Sequence, residues 1–105
     1  MDVNSIGLSG VNAAALGTAV TANNIANANT KDFKAKRLEQ EDLAQGGTRP
    51  AALRESQEPT APEGSNVDLA TEFTNLIGQG AAYKANLKMV EAQNEFLGTA
   101  IDLKS

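Results

Sequence analysis

The chain has 105 residues, 41% of them apolar but only 4% aromatic, which limits it to one domain with a small core of its own. It has no Cys and no His, which excludes disulfides, thiol nucleophiles and nearly all zinc and haem sites, so no cofactor is expected. A net charge of −4 lacks the basic stripe that binding to nucleic acid requires.

Charge divides the chain into three segments: 1–30, 31–64 and 65–105. From Val3 to Thr30 there is no Asp, Glu, Lys or Arg. The spacing predicts a helix here, with Val3, Ile6, Gly10, Ala13, Gly17 and Val20 on one a/d stripe. Leu8, Val11, Ala15, Thr18, Ala22 and Ile25 form a second stripe on a neighbouring face. Asn4 is placed as an N-cap, with Val3 and Leu8 as a hydrophobic staple. A surface helix ordinarily shows a charged face, and this one has none. A membrane helix is disfavoured by its six Asn and its Ser and Thr residues. No uninterrupted run of about 18 apolar residues marks a span, and nothing after Met1-Asp2 resembles a secretory leader. The remaining reading is a helix contacted on most sides by other protein helices. Gly7, Gly10 and Gly17, like Gly78, Gly80 and Gly98 further on, cost about 1 kcal/mol each in a helix but allow backbones to approach closely.

Segment 31–64 carries thirteen charged residues, all three prolines and Gly46-Gly47. Its large apolar residues, Phe33, Leu38, Leu43 and Leu53, are too few for a core. A short helix near Leu38–Leu43 or a small hairpin is open to it, but the segment reads as an extended or flexible connector.

Segment 65–105 is predicted as one long helix. Leu69, Leu76, Tyr83, Val90 and Leu97 recur every seven residues, and Phe73, Gly80, Leu87, Asn94 and Ile101 form the companion series. That is the a/d stripe of a coiled-coil seam. Ser65 or Asn66 is placed to cap its first amides, and Asp68 and Glu72 suit the positive end of its dipole. The expected fold is therefore all-α: two long terminal helices in an antiparallel coiled-coil hairpin, joined by the connector.

No constellation for catalysis is evident. Glu91 and Glu95 share a helix face, but Lys88 stands one turn before Glu91, and a solvated face is the simpler reading. Gly46-Gly47 has neither the spacing nor the following Lys-Ser/Thr of a phosphate loop. An enzyme is not expected.

Two stretches carry a family resemblance. Thr21-Ala22-Asn23-Asn24-Ile25-Ala26-Asn27-Ala28-Asn29-Thr30, followed by Phe33-Lys34, resembles the N-terminal signature of flagellar rod and hook proteins. Ser65-Asn66-Val67-Asp68-Leu69, Asn75-Leu76-Ile77, Ala82-Tyr83, Ala85-Asn86 and Leu97-Gly98-Thr99 resemble their C-terminal signature. The chain departs from the pattern at Lys31-Asp32, where Thr-Gly is common, and at Gly78 to Ala81. It also lacks the large β-rich insert of distal-rod and hook members, which points to the small proximal-rod type.

The resemblance implies a structural subunit of the bacterial flagellar basal-body rod, exported by the flagellar type III apparatus without a cleaved signal peptide. It implies terminal helices that polymerise into a tubular axial assembly, with the middle segment outward. Partners would be other rod subunits, of this chain and of its relatives, in helical symmetry, with no nucleic acid and no direct membrane span. The assembly interface is expected along Ile6, Gly10, Ala13, Gly17, Val20, Asn24 and Asn27, and along Leu69, Phe73, Leu76, Tyr83, Leu87, Val90, Asn94, Leu97 and Ile101. Asn24 and Asn94 stand at a positions, where a buried amide fixes register, and Asn27 or Asn29 is placed to end the first helix in a left-handed conformation. The alternative is a self-contained helical-hairpin adaptor of flagellar export or assembly.

Overall fold

The computed structural model describes residues 3–104, and the side chains of residues 4–98. The body measures 68 × 24 × 14 Å. In chain order it contains α1 (Val3–Ala26), β1 (Lys36–Asp42), β2 (Thr48–Glu55) and α2 (Leu69–Lys104).

The two helices run antiparallel. Gly7 lies against Met89 and Val90, Gly10 against Asn86 and Gly17 against Gln79, while Asn24 bonds to Glu72. Glycine makes this contact close. A Cβ on Gly7 would sit 2.8 Å from Val90 Cγ2, and one on Gly17 would sit 3.0 Å from Gln79 Nε2. At Gly10 it would overlap the Asn86 carboxamide. Removing the side chain lets α2 side chains pack directly on the α1 backbone, which offsets the weak helix propensity of glycine. The buried side chains are accordingly small or polar: Ala13, Ala14, Thr21, Asn24, Ser65 and Glu72.

The fold is not all-α, and the middle segment is not an extended or flexible connector. It forms an antiparallel hairpin that pairs Lys36 with Glu55, Leu38 with Leu53 and Asp42 with Thr48. Gly46 and Gly47 adopt φ of +94° and +88°, a left-handed turn open to residues without a Cβ. The Leu43 N–H donates to the Gly47 carbonyl at 2.9 Å and closes the turn. Register shifts between Glu39 and Gln40, where Ala51 is the extra residue of a β-bulge. Pro50 follows in a pair whose backbone groups face outward, so its missing N–H breaks no ladder bond. Exposed ion pairs Arg49–Glu41 and Arg54–Glu39 decorate the hairpin. The hydrogen bond from Arg54 to Glu39, helped by the opposite charge, holds that guanidinium above its ordinary pKa.

An isolated two-stranded hairpin is marginal in water, and this one is fastened to α1 at three places. Ile6 Cδ1 touches the tip at Gly46. The Thr48 N–H donates to Ser9 Oγ at 3.2 Å. Asn24 holds the other end through Lys36.

The segments flanking the hairpin are stitched together by Asn66. Its Oδ1 accepts from the Ala35 N–H at 2.6 Å, and its Nδ2 donates to the Glu58 carbonyl at 2.8 Å. Ser65 Oγ donates to the Ala28 carbonyl at 2.6 Å. Both expected caps of α2 are thus engaged elsewhere. The N-cap is Asp68, whose Oδ1 accepts from Ala70 at 3.0 Å and Thr71 at 3.4 Å.

Asn4 lies inside α1, which begins at Val3, so it is not the N-cap. Neither Asn27 nor Asn29 ends α1 in a left-handed conformation. The Asn27 N–H is shared between the Asn23 and Asn24 carbonyls, and its Nδ2 returns to Asn23 O at 2.9 Å. The left-handed non-glycine residue among those described is Asp32, with φ of 64°.

Candidate assembly surfaces

Asn24 is the most enclosed large side chain, at 1% exposure, and it joins three elements. Its Nδ2 donates to the Lys36 carbonyl at 2.7 Å and to Glu72 Oε1 at 2.8 Å. Its Oδ1 accepts from the Lys36 N–H at 2.9 Å. The carboxamide thus pairs with the Lys36 peptide as a neighbouring strand would, and also anchors α2. A buried amide with all these partners specifies one register, because any slip leaves polar groups unpaired.

The expected interface residues of α1 fall into two sets. Gly10, Ala13, Gly17 and Asn24 lie in the seam with α2. Ile6 and Val20 are half-buried against the hairpin, and Asn27 is half-buried where α1 ends. Sequence reasoning named Gly7 as a close-approach glycine but missed Ala14 and Thr21, although Gly7-Ala14-Thr21 and Gly10-Gly17-Asn24 are heptad series of the same kind.

On α2 the expected stripe does not form the seam. Leu69, Phe73, Tyr83, Leu87, Asn94 and Leu97 are exposed, and only Leu76 and Val90 are half-buried beside α1. Ile101 lies outside the residues whose side chains are described. The seam instead takes Glu72, Gln79 and Asn86, again seven residues apart, with Met89 beside them. Their polarity hides them from a search for apolar periodicity. The consequence is a seam face rich in polar side chains, with Leu69, Phe73, Ile77, Tyr83 and Leu87 left exposed.

Helix α1 is long and apolar enough, by length and composition alone, to cross a membrane, despite its broken apolar runs. Its polar seam to α2 and its fastening to the hairpin describe a helix packed on protein along two faces.

Comparison with protein families places the chain. Residues 5–34 match the model described as flagella basal body rod protein, and residues 60–103 match the flagellar basal body rod FlgEFG protein C-terminal model. The chain belongs to the flagellar basal-body rod family. No curated protein matched the chain. The two matches cover α1 with the turn after it, and α2 with its capping segment, leaving the hairpin between them. The family is a structural component of the flagellar basal body rod, and a structural role in that rod follows for this chain. Against the family pattern, Asp32 occupies the left-handed position where the resemblance has glycine, so an aspartate carries a conformation that glycine adopts without strain.

Proposed function

We propose that this rod-family chain is a polymerising subunit whose helices build the tubular axial layer of the rod, with the hairpin outward. The observation that carries this reading is the ridge on α2. Leu69, Phe73, Ile77, Tyr83 and Leu87 are 40–75% exposed on a helix whose seam face is rich in polar side chains. Fully burying a large apolar side chain contributes about 1.5–3 kcal/mol, and about half of each is still exposed, so these five supply roughly 4–8 kcal/mol to association. That is enough to offset much of the entropy lost on docking. Within this reading, Leu69, Phe73, Tyr83, Leu87, Asn94 and Leu97 meet neighbouring subunits, while Gly10, Ala13, Gly17 and Asn24 set the shape of the subunit that docks. The partners are other rod subunits in helical array. Delivery is through the flagellar type III apparatus to the periplasmic rod, without a cleaved signal peptide, and the small proximal-rod type is the reading of its place in the family.

The test is incorporation. Phe73→Asp changes an exposed side chain, so the isolated chain should keep its solubility and circular dichroism. Electron microscopy and immunoblotting of purified basal bodies should then show the variant absent and motility lost. Normal incorporation of Phe73→Asp would overturn the reading. A sharply melting monomer that never enters basal bodies would favour the adaptor.

A further inference from the structure

Glu72 is a carboxylate only 4% exposed, and the fold leaves it half-satisfied. Its Oε1 accepts from Asn24 Nδ2 at 2.8 Å, while Oε2 has no hydrogen bond and the group no ion pair among the described residues. Glu72 stands in the first turn of α2, whose positive amide end offsets part of its charge. A carboxylate closed off from water ordinarily needs a full counter-charge as well.

Beside it lies a recess of about 220 Å³ between α1, β1 and α2. Thr21, 3% exposed, lines its inner end with a hydroxyl that makes no hydrogen bond among the described residues. Gln79 lines it too, with an Oε1 buried and unpartnered. The recess is thus rich in acceptors that lack donors, and half-buried Val20 and Leu38 add an apolar wall. Neither cation of β1 serves Glu72. The Lys36 ammonium lies over the Phe33 ring, 5.5 Å from its centroid. Arg37 borders the recess, but strand alternation puts its side chain on the face opposite Leu38, beside Glu39 and Arg54. Water satisfies a hydroxyl or a carboxamide but leaves the charge unmatched.

We propose that this recess receives a lysine side chain of a neighbouring subunit, whose ammonium pairs with Glu72. The proposal rests on the polymerising reading above and adds a charged contact to it. An ammonium carries three donors, which match Glu72 Oε2, Thr21 Oγ1 and, after a turn about its soft terminal torsion, Gln79 Oε1. A guanidinium fits less well, because its bidentate fork needs both carboxylate oxygens and Asn24 already holds Oε1. A bare monovalent ion fits less well again, since the recess is several times the share of about 30 Å³ that one water occupies. The alkyl stem of a lysine fills that space against Val20 and Leu38.

Glu72→Gln tests this, because it keeps the size of the side chain and an oxygen for Asn24 while removing the charge. The isolated variant should keep its circular dichroism and melt within about 4 °C of wild type or above it. Immunoblots of purified basal bodies should show its incorporation reduced about tenfold or more. In nuclear magnetic resonance spectra of the isolated wild-type chain, n-butylammonium chloride should shift the Gln79 side-chain amide signals. Sodium or potassium chloride at the same concentration should not, and Glu72→Gln should abolish the response. Normal incorporation of Glu72→Gln overturns the inference, and so does a melt well below wild type, which would make the role of Glu72 internal. Gln79 signals that ignore butylammonium, or follow sodium or potassium equally well, overturn it too. Wild-type chain missing from basal bodies overturns the polymerising reading itself, whereas wild type and Glu72→Gln incorporated alike overturn only this contact.

Discussion

Replacing Asn24 with alanine tests whether one carboxamide fixes the relation of α1, β1 and α2. The substitution removes three hydrogen bonds, at 2.7, 2.8 and 2.9 Å, from a side chain only 1% exposed. Each is worth about 1 kcal/mol net, and a buried partner left unpaired adds about 1–3 kcal/mol. Lys36 is half-buried, so water reaches part of its peptide and trims the second term, whereas Glu72 at 4% exposure has little such relief. The expected loss is about 3–5 kcal/mol, a large share of the 5–15 kcal/mol typical of a folded domain. For a chain of this length that corresponds to a melting midpoint lowered by roughly 15–25 °C. Thermal and urea melts of the isolated chain, followed by circular dichroism, measure it directly. A cycle with Glu72→Ala should return a coupling of about 1–2 kcal/mol, because the two side chains bond directly. An Asn24→Ala chain within about 0.5 kcal/mol of wild type would show that the junction does not organise the fold.

Other substitutions separate the two kinds of glycine and the strained turn. Gly78→Ala should raise monomer stability by about 1 kcal/mol, whereas Gly10→Leu, driven into Asn86, should lower it by about 1–3 kcal/mol; urea midpoints read both. Asp32→Gly should stabilise the chain by about 0.5–1 kcal/mol by relieving the left-handed backbone, with Asp32→Ala giving no such gain in the same melts. Glu91→Ala breaks only an exposed 3.5 Å pair with Lys88 and should shift the melt by less than about 0.5 kcal/mol.

Helix placement was legible because it rests on local signals. The charge-free run and the seven-residue recurrences locate α1 and α2 from the sequence alone, and the asparagine-rich signature with its C-terminal counterpart gives the family. The hairpin was legible in part. Gly46-Gly47 is a turn signal, and Leu38 and Leu53 face each other across it, but strands this charged look like solvated connector until α1 is there to support them. The pairing face of α2 was not legible. A hydrophobic pattern ranks Leu69, Phe73 and Leu87 as the seam, while the contact with α1 depends on how closely Gly7, Gly10 and Gly17 let Asn86 and Gln79 approach. Glycine adds nothing to an apolar stripe, and carboxamides subtract from it.

This polar seam bears on how a subunit can be folded yet unsatisfied. Were the apolar stripe of α2 buried against α1, the helix pair would be self-sufficient and its outer surface polar. Here the seam is held by α2 side chains seated on the glycines of α1 and by the Asn24–Lys36–Glu72 junction, which specify geometry while burying little apolar surface. The hydrophobic driving force of α2 therefore remains available on the outside, where only another molecule can use it. The hairpin extends the same logic to α1. By touching Ile6, Ser9 and Asn24 it runs along most of that helix, so in the proposed assembly α1 would reach a neighbour with this face already shaped. A displacement of α1 during docking must carry the hairpin with it, since sliding one past the other would break the Thr48–Ser9 and Lys36–Asn24 bonds together. The polar contacts thus set the shape of the chain, and in the proposed assembly the apolar ridge supplies the affinity between subunits.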